Sequence, residues 1–139
     1  MTGSSRADLA GFCAALPQVV RGGSEDRPSW SVQDKAFVFF REPRRDAVDA
    51  NGERLTDVIC LRTHGADDKA ALVEDETNPF FTTPHFNGYP AVLVRESDLP
   101  RLDRDLLQEV VTEAWLSRAP KRLAKSWLAN FESRARLEP

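Results

Sequence analysis

The sequence predicts an α+β fold, a single antiparallel sheet of about four or five strands with helices packed on it, and three observations carry that prediction. Strand-like segments recur around Trp30 and Val32 and at residues 36–40, 55–62 and 89–96. Helical stripes open and close the chain, at residues 5–15 and again beyond residue 103. The strand segments are joined by hairpin-length or moderate connections, with the helices largely at the two ends, which is the arrangement of an α+β domain.

A chain of 139 residues with 41% hydrophobic content is sized for one domain spanning residues 1–139. Eight Phe and three Trp supply large apolar surfaces, and 29% charged residues suffice to coat the outside, so disorder is disfavoured.

In chain order, Ser5 followed by Asp8 resembles a capping box, and Leu9, Phe12, Cys13 and Leu16 share a helical face, so residues 5–15 form the N-terminal helix. Pro17 ends it, and residues 19–27, with Gly22 and Gly23, read as a polar connection. Trp30 and Val32 alternate with Ser29 and Ser31, and after Gln33, Asp34 and Lys35 comes the apolar run at 36–40, which makes a hairpin. Residues 41–54 are charged and contain Pro43 and the pair Asn51 and Gly52, so a long solvated connection is expected. Residues 55–62 form the next strand, and 66–76 a short helix with Asp67 and Asp68 at the positive end of its dipole. A turn at Asn87 and Gly88 leads into a strand at 89–96, where Pro90 is tolerated near the start. Asp103 caps the following helix, with Leu102 and Leu107 placed to staple it. Pro120 opens a last helix whose inward face is Leu123, Trp127 and Phe131, with residues 134–139 expected to fray.

The composition restricts function more than it assigns one. Nineteen Lys and Arg against 22 Asp and Glu leave a net charge of −3, so any contact with nucleic acid must use a local patch. Cys13 and Cys60 lie in apolar surroundings and are read as reduced core residues rather than a disulfide. No stretch is apolar enough to span a bilayer and no signal peptide is expected, which makes a cytoplasmic location the default.

Neither His64 nor His85 belongs to a metal-binding pattern, and no nucleophile elbow, phosphate loop or dinucleotide fingerprint appears, so no metal, cofactor or catalytic residue is assigned. His64 reads as an exposed loop residue. His85, between Pro84 and Phe86, reads first as a loop anchor and second as part of a ligand pocket with Tyr89. The acidic run of Asp67, Asp68, Glu74, Asp75 and Glu76 is taken as a solvated face ahead of a cation site. Arg118, Lys121, Arg122 and Lys125 follow one another at helical spacing, and they share a face roughly opposite Leu123 and Trp127 if one helix runs through Pro120. From spacing alone a solvated outer face is preferred; as a function, contact with phosphates leads.

The stretch Thr83-Pro84-His85-Phe86-Asn87-Gly88-Tyr89-Pro90-Ala91-Val92-Leu93-Val94-Arg95 resembles the MmcQ/YjbR family. So do Leu107, Thr112-Glu113-Ala114-Trp115 and Arg118-Ala119-Pro120-Lys121-Arg122-Leu123 and, more loosely, Arg27-Pro28-Ser29-Trp30-Ser31-Val32 and Lys35-Ala36-Phe37-Val38. The resemblance implies a small α+β fold of the frataxin-like grouping, with a double-wing arrangement proposed to bind DNA. It implies no catalytic residue, and with only Asp8 on the first helix in place of an acidic ridge, frataxin-type iron handling is not expected.

The expected function is a non-enzymatic module that binds DNA weakly and non-specifically through Arg118, Lys121, Arg122 and Lys125. Two alternatives stand beside it. One is a protein-interaction or assembly module using a sheet edge or the aromatic loop with Phe80, Phe81 and Phe86. The other is a small-ligand or enzyme pocket near His85 and Tyr89.

Overall fold

A computed structural model describes residues 3–83 and 88–137, with side chains as far as residue 130. Its centre is a five-stranded antiparallel sheet in which every strand neighbours the next in sequence: β1 (Val19–Gly23), β2 (Pro28–Val32), β3 (Lys35–Phe40), β4 (Val58–Arg62) and β5 (Ala91–Arg95). Among the described residues four α-helices accompany it, α1 (Arg6–Ala14), α2 (Ala66–Glu74), α3 (Arg104–Arg118) and α4 (Lys121–Leu137), and a 3-10 helix (Glu96–Arg101) links β5 to α3. The α+β expectation therefore holds, with five strands.

Local chemistry fixes the helix starts. The Ser5 hydroxyl accepts from the Asp8 amide at 3.1 Å while the Asp8 carboxylate accepts from the Ser5 amide at 3.0 Å, closing the capping box of α1. Asp103 caps α3 by accepting from the amides of Asp105 and Leu106, and Leu102 and Leu107 on either side of it are both buried. The Ser4 hydroxyl donates to the Leu102 carbonyl at 2.7 Å, tying the start of α1 to the start of α3.

Residues 19–27, expected as a connection, contain the edge strand β1, which pairs with β2 from Val19 opposite Val32 to Gly23 opposite Pro28. The two glycines masked the alternation, yet Gly23 is what closes the hairpin: its φ is 74°, and a Cβ there would run into the Arg27 carbonyl. The β2–β3 hairpin turns on Gln33 and Asp34, both at positive φ (51° and 66°), the two-residue geometry that matches strand twist. Beyond it the register shifts. Trp30 faces Val38 but Ser31 faces Ala36, so Phe37 is an extra residue, and Phe37 and Val38 are both fully buried in the main core.

That core lies between one sheet face and helices α1 and α3. Trp30, Val38, Phe40, Ile59, Leu61, Val92 and Val94 from the sheet meet Leu9 and Cys13 of α1 and Leu107, Val110, Val111, Ala114 and Trp115 of α3. The other face is apolar too, through Phe39, Val58, Cys60, Ala91 and Leu93, and is covered by Ala47, Leu55 and Phe81 rather than by a helix. The connection at 41–54 is thus folded onto the sheet, where solvation was expected. Arg41, only 3% exposed, forms a two-pronged ion pair with Asp46 (2.7 and 3.1 Å), and the Thr83 hydroxyl donates to the same carboxylate at 2.7 Å.

Candidate nucleic-acid interface

The polypeptide turns sharply between α3 and α4. Ala119 is extended (ψ 145°), its amide bonded to the Trp115 carbonyl at 2.8 Å, and the Pro120 carbonyl accepts from Ala124 to begin α4. One helix does not run through Pro120, so the four basic residues do not share a single helical face. Arg118 ends α3, half-buried, its Nε donating to the Ser117 carbonyl at 3.2 Å. Lys121, Arg122 and Lys125 lie on α4 and are exposed.

Hydrophobic packing sets the orientation of α4. Leu123 and Trp127 are half-buried against the main core, and the Trp127 ring sits 5.7 Å from that of Trp115. Trp115 is fully buried and donates from Nε1 to the Pro17 carbonyl at 3.1 Å, so α4 rests on a fixed indole. With about 100° per residue, Lys121, Arg122 and Lys125 fall within one arc opposite that seam. The side chain of Phe131 lies outside the described residues.

The electrostatics of this surface are unusual for the chain. Residues 114–131 hold four cations and no Asp or Glu, while the rest of the molecule has 15 basic against 22 acidic residues. Among the described residues no ion pair involves Lys121, Arg122 or Lys125. Two of these cations stand in the first turn of α4, which has no acidic residue, so they add to the positive end of the helix dipole instead of opposing it.

The structure places the remaining candidates elsewhere. His85, Phe86 and Asn87 lie outside the described residues. Tyr89, 39% exposed, has the Arg62 guanidinium over its ring at 4.4 Å, and its carbonyl accepts from Lys69 Nζ at 2.8 Å. Lys69 is 6% exposed, and burial lowers its pKa. Phe80 is buried in the main core and Phe81 is packed against the opposite sheet face, so these two rings form no exposed aromatic patch. Cys13 and Cys60 are both buried free thiols; burial raises both pKa values, that of Cys60 to about 12 despite the nearby charges of Arg62, Arg41 and Lys69. No group of His, Cys, Asp and Glu among the described residues is arranged to hold a metal ion. None of their helices is long and apolar enough to cross a membrane.

His64 is exposed, as expected, but it also has a partner that spacing did not reveal. Its Nε2 donates to Glu113 at 2.8 Å, joining the end of β4 to the middle of α3 at the rim of a cleft of about 290 Å3 between α2 and α3. The residues meet across 49 positions of sequence, and no local pattern announces such a pair.

A five-stranded antiparallel meander carrying its main helices on one face, with its other face closed by loops, defines the structural class. Within that class the chain belongs to the YjbR family, whose profile matches residues 14–117. Uncharacterized proteins of Mycobacterium tuberculosis and Mycobacterium bovis are each 38% identical to it over 128 residues, covering 88% of this chain and 95% of the relative. No solved structure matches significantly. The family match ends at residue 117, so α4 and all four basic candidates lie beyond it.

Proposed function

We propose that the chain acts as one domain, residues 1–139, and as a non-enzymatic cytoplasmic module that contacts the phosphates of duplex DNA weakly and without sequence preference. Lys121, Arg122 and Lys125 make the contacts, with Arg118 at their flank. The observation that supports this most is that the three exposed cations share one side of α4 in a segment without a single acid. A phosphate there meets the side-chain ammonium and guanidinium groups together with the unsatisfied amides of the first helical turn. Each cation that neutralises a phosphate releases counterions, so binding falls with salt. The double-wing arrangement implied by the family resemblance is the frame for such contact.

The test is binding to a labelled duplex at two salt concentrations. The triple variant Lys121→Glu, Arg122→Glu, Lys125→Glu should bind more weakly, and its log–log salt slope should flatten by about 0.9 for each phosphate that is no longer neutralised. Unchanged affinity and slope would refute the proposal.

A second reading, protein contact through a sheet edge, has one observation in its favour: among the described residues β1 pairs only with β2, and Val20 on it is 66% exposed. Concentration-dependent self-association that Val20→Lys abolishes would support it, and a monomer at all concentrations would count against its homodimeric form.

A further inference from the structure

The cleft between α2 and α3 is separate from the basic surface of α4 and has a different chemistry. Leu106, Glu109, Val110 and Glu113 stand at the i, i+3, i+4 and i+7 positions of one α3 face, and Asp68 and Leu72 at i and i+4 look back from α2. The two stripes do not fill the space between them. Val110 is buried, but Leu72 and Leu106 remain half-buried at the base of an opening of about 290 Å3, at the small end of the range for ligand pockets.

Three carboxylates border this apolar base: Asp68, Glu109 and Glu113. Against them stands Arg62, whose guanidinium is held over the Tyr89 ring, so acids outnumber the permanent cation at the rim. His64 bonds one oxygen of Glu113 and leaves the other facing no partner among the described residues; Asp68 and Glu109 likewise have no ion pair there. An apolar seat ringed by carboxylates with acceptor capacity to spare complements one kind of small molecule and repels its anionic counterpart.

The geometry points to this cleft as a binding site for a small organic cation, a primary ammonium on a short apolar body. The ammonium sits at Glu109 and Glu113 with Asp68 opposite, and the apolar body covers Leu72, Leu106 and Val110. Both carboxylates of α3 lie one turn apart, so a single ammonium with three donors can bridge them. This site owes nothing to the phosphate-contact reading, because no residue of it lies on α4.

Phenethylammonium chloride is a suitable probe, with hydrocinnamate as the anion of similar shape, followed by amide chemical shifts of the full chain at constant ionic strength. Saturable shifts confined to residues 62–72 and 106–113 are expected with the amine and not with the anion. Glu109→Gln with Glu113→Gln replaces two exposed carboxylates by amides of the same size and should weaken binding about tenfold, while spectra away from the cleft stay unchanged. The triple variant in α4 should bind the amine like the wild type, which keeps this result separate from the outcome with DNA. Non-saturating shifts, equal response to the anion, or unchanged affinity in the double Gln variant would overturn the assignment.

Discussion

Arg41 shows how a single residue can decide the fate of a long connection. Its guanidinium is buried and paired with Asp46, which also accepts from Thr83, so two segments distant in sequence, the connection at 41–54 and the stretch before β5, meet at one carboxylate. Removing that carboxylate takes a two-pronged partner away from a buried cation, and Asp46→Ala should cost about 3–5 kcal/mol in urea denaturation. Asp57 supports the same face more gently. Partial burial raises its pKa, but bonds from Arg95 and from the Ser97 amide outweigh that, and the net shift is downward. A carboxyl depressed in the folded state contributes stability that is fully present above its unfolded pKa of about 3.9 and is lost as pH falls through the folded value. The stability difference between wild type and Asp57→Asn should therefore be constant above about pH 5 and shrink below about pH 4. A difference that does not vary with pH would disprove the linkage. None of these partnerships was legible beforehand. Arg41 sits in a charged segment that looks solvated, and only three-dimensional closure brings Asp57 to Arg95.

Elements were far easier to read than their partners, and the exceptions have physical causes. The capping box at Ser5 and Asp8, the Asp103 cap and the stripe of α3 lie in continuous sequence, and all three form as expected. The edge strand β1 was hidden because an edge needs no second apolar face, and Val19 and Val20 alone stand before two glycines. The bulge at Phe37 was equally invisible: a continuous apolar run does not say which residue is the extra one. Its energetic weight is large, and Phe37→Ala should lose about 3–5 kcal/mol, close to the loss for any fully buried ring. The adjoining turn behaves in the opposite way. Gln33 and Asp34 both bear the left-handed conformation with side chains attached, so replacing them by Asn and Gly should leave the register intact and raise stability by about 1 kcal/mol. A changed register, seen in cross-strand nuclear Overhauser contacts, would contradict the assigned turn.

At the scale of the whole molecule the sheet is sealed on both sides, and Cys13 and Cys60 sample the two interiors separately. Cys13 belongs to the helix-covered core and Cys60 to the loop-covered one. Both thiols should resist a disulfide reagent in the native state, because burial disfavours the thiolate that reacts. If Cys60 is labelled faster than Cys13 under mildly destabilising conditions, the loop-covered face opens without global unfolding; equal rates that track unfolding would mean the two layers part together. The site is less legible than the fold at this scale too. Lys121, Arg122 and Lys125 lie on one exposed face of α4 while the break at Ala119 separates Arg118 from them, and the pairing of His64 with Glu113 gave no signal in sequence. The seating of Trp127 on Trp115 has one more consequence. Two indoles 5.7 Å apart and inclined by 57° are close enough to couple their excited states, so the near-ultraviolet circular dichroism of the unlabelled protein should carry a signature of that contact. Trp127→Phe should erase it, and any partner that lifts α4 off the body should announce itself in the same band, with no dye attached.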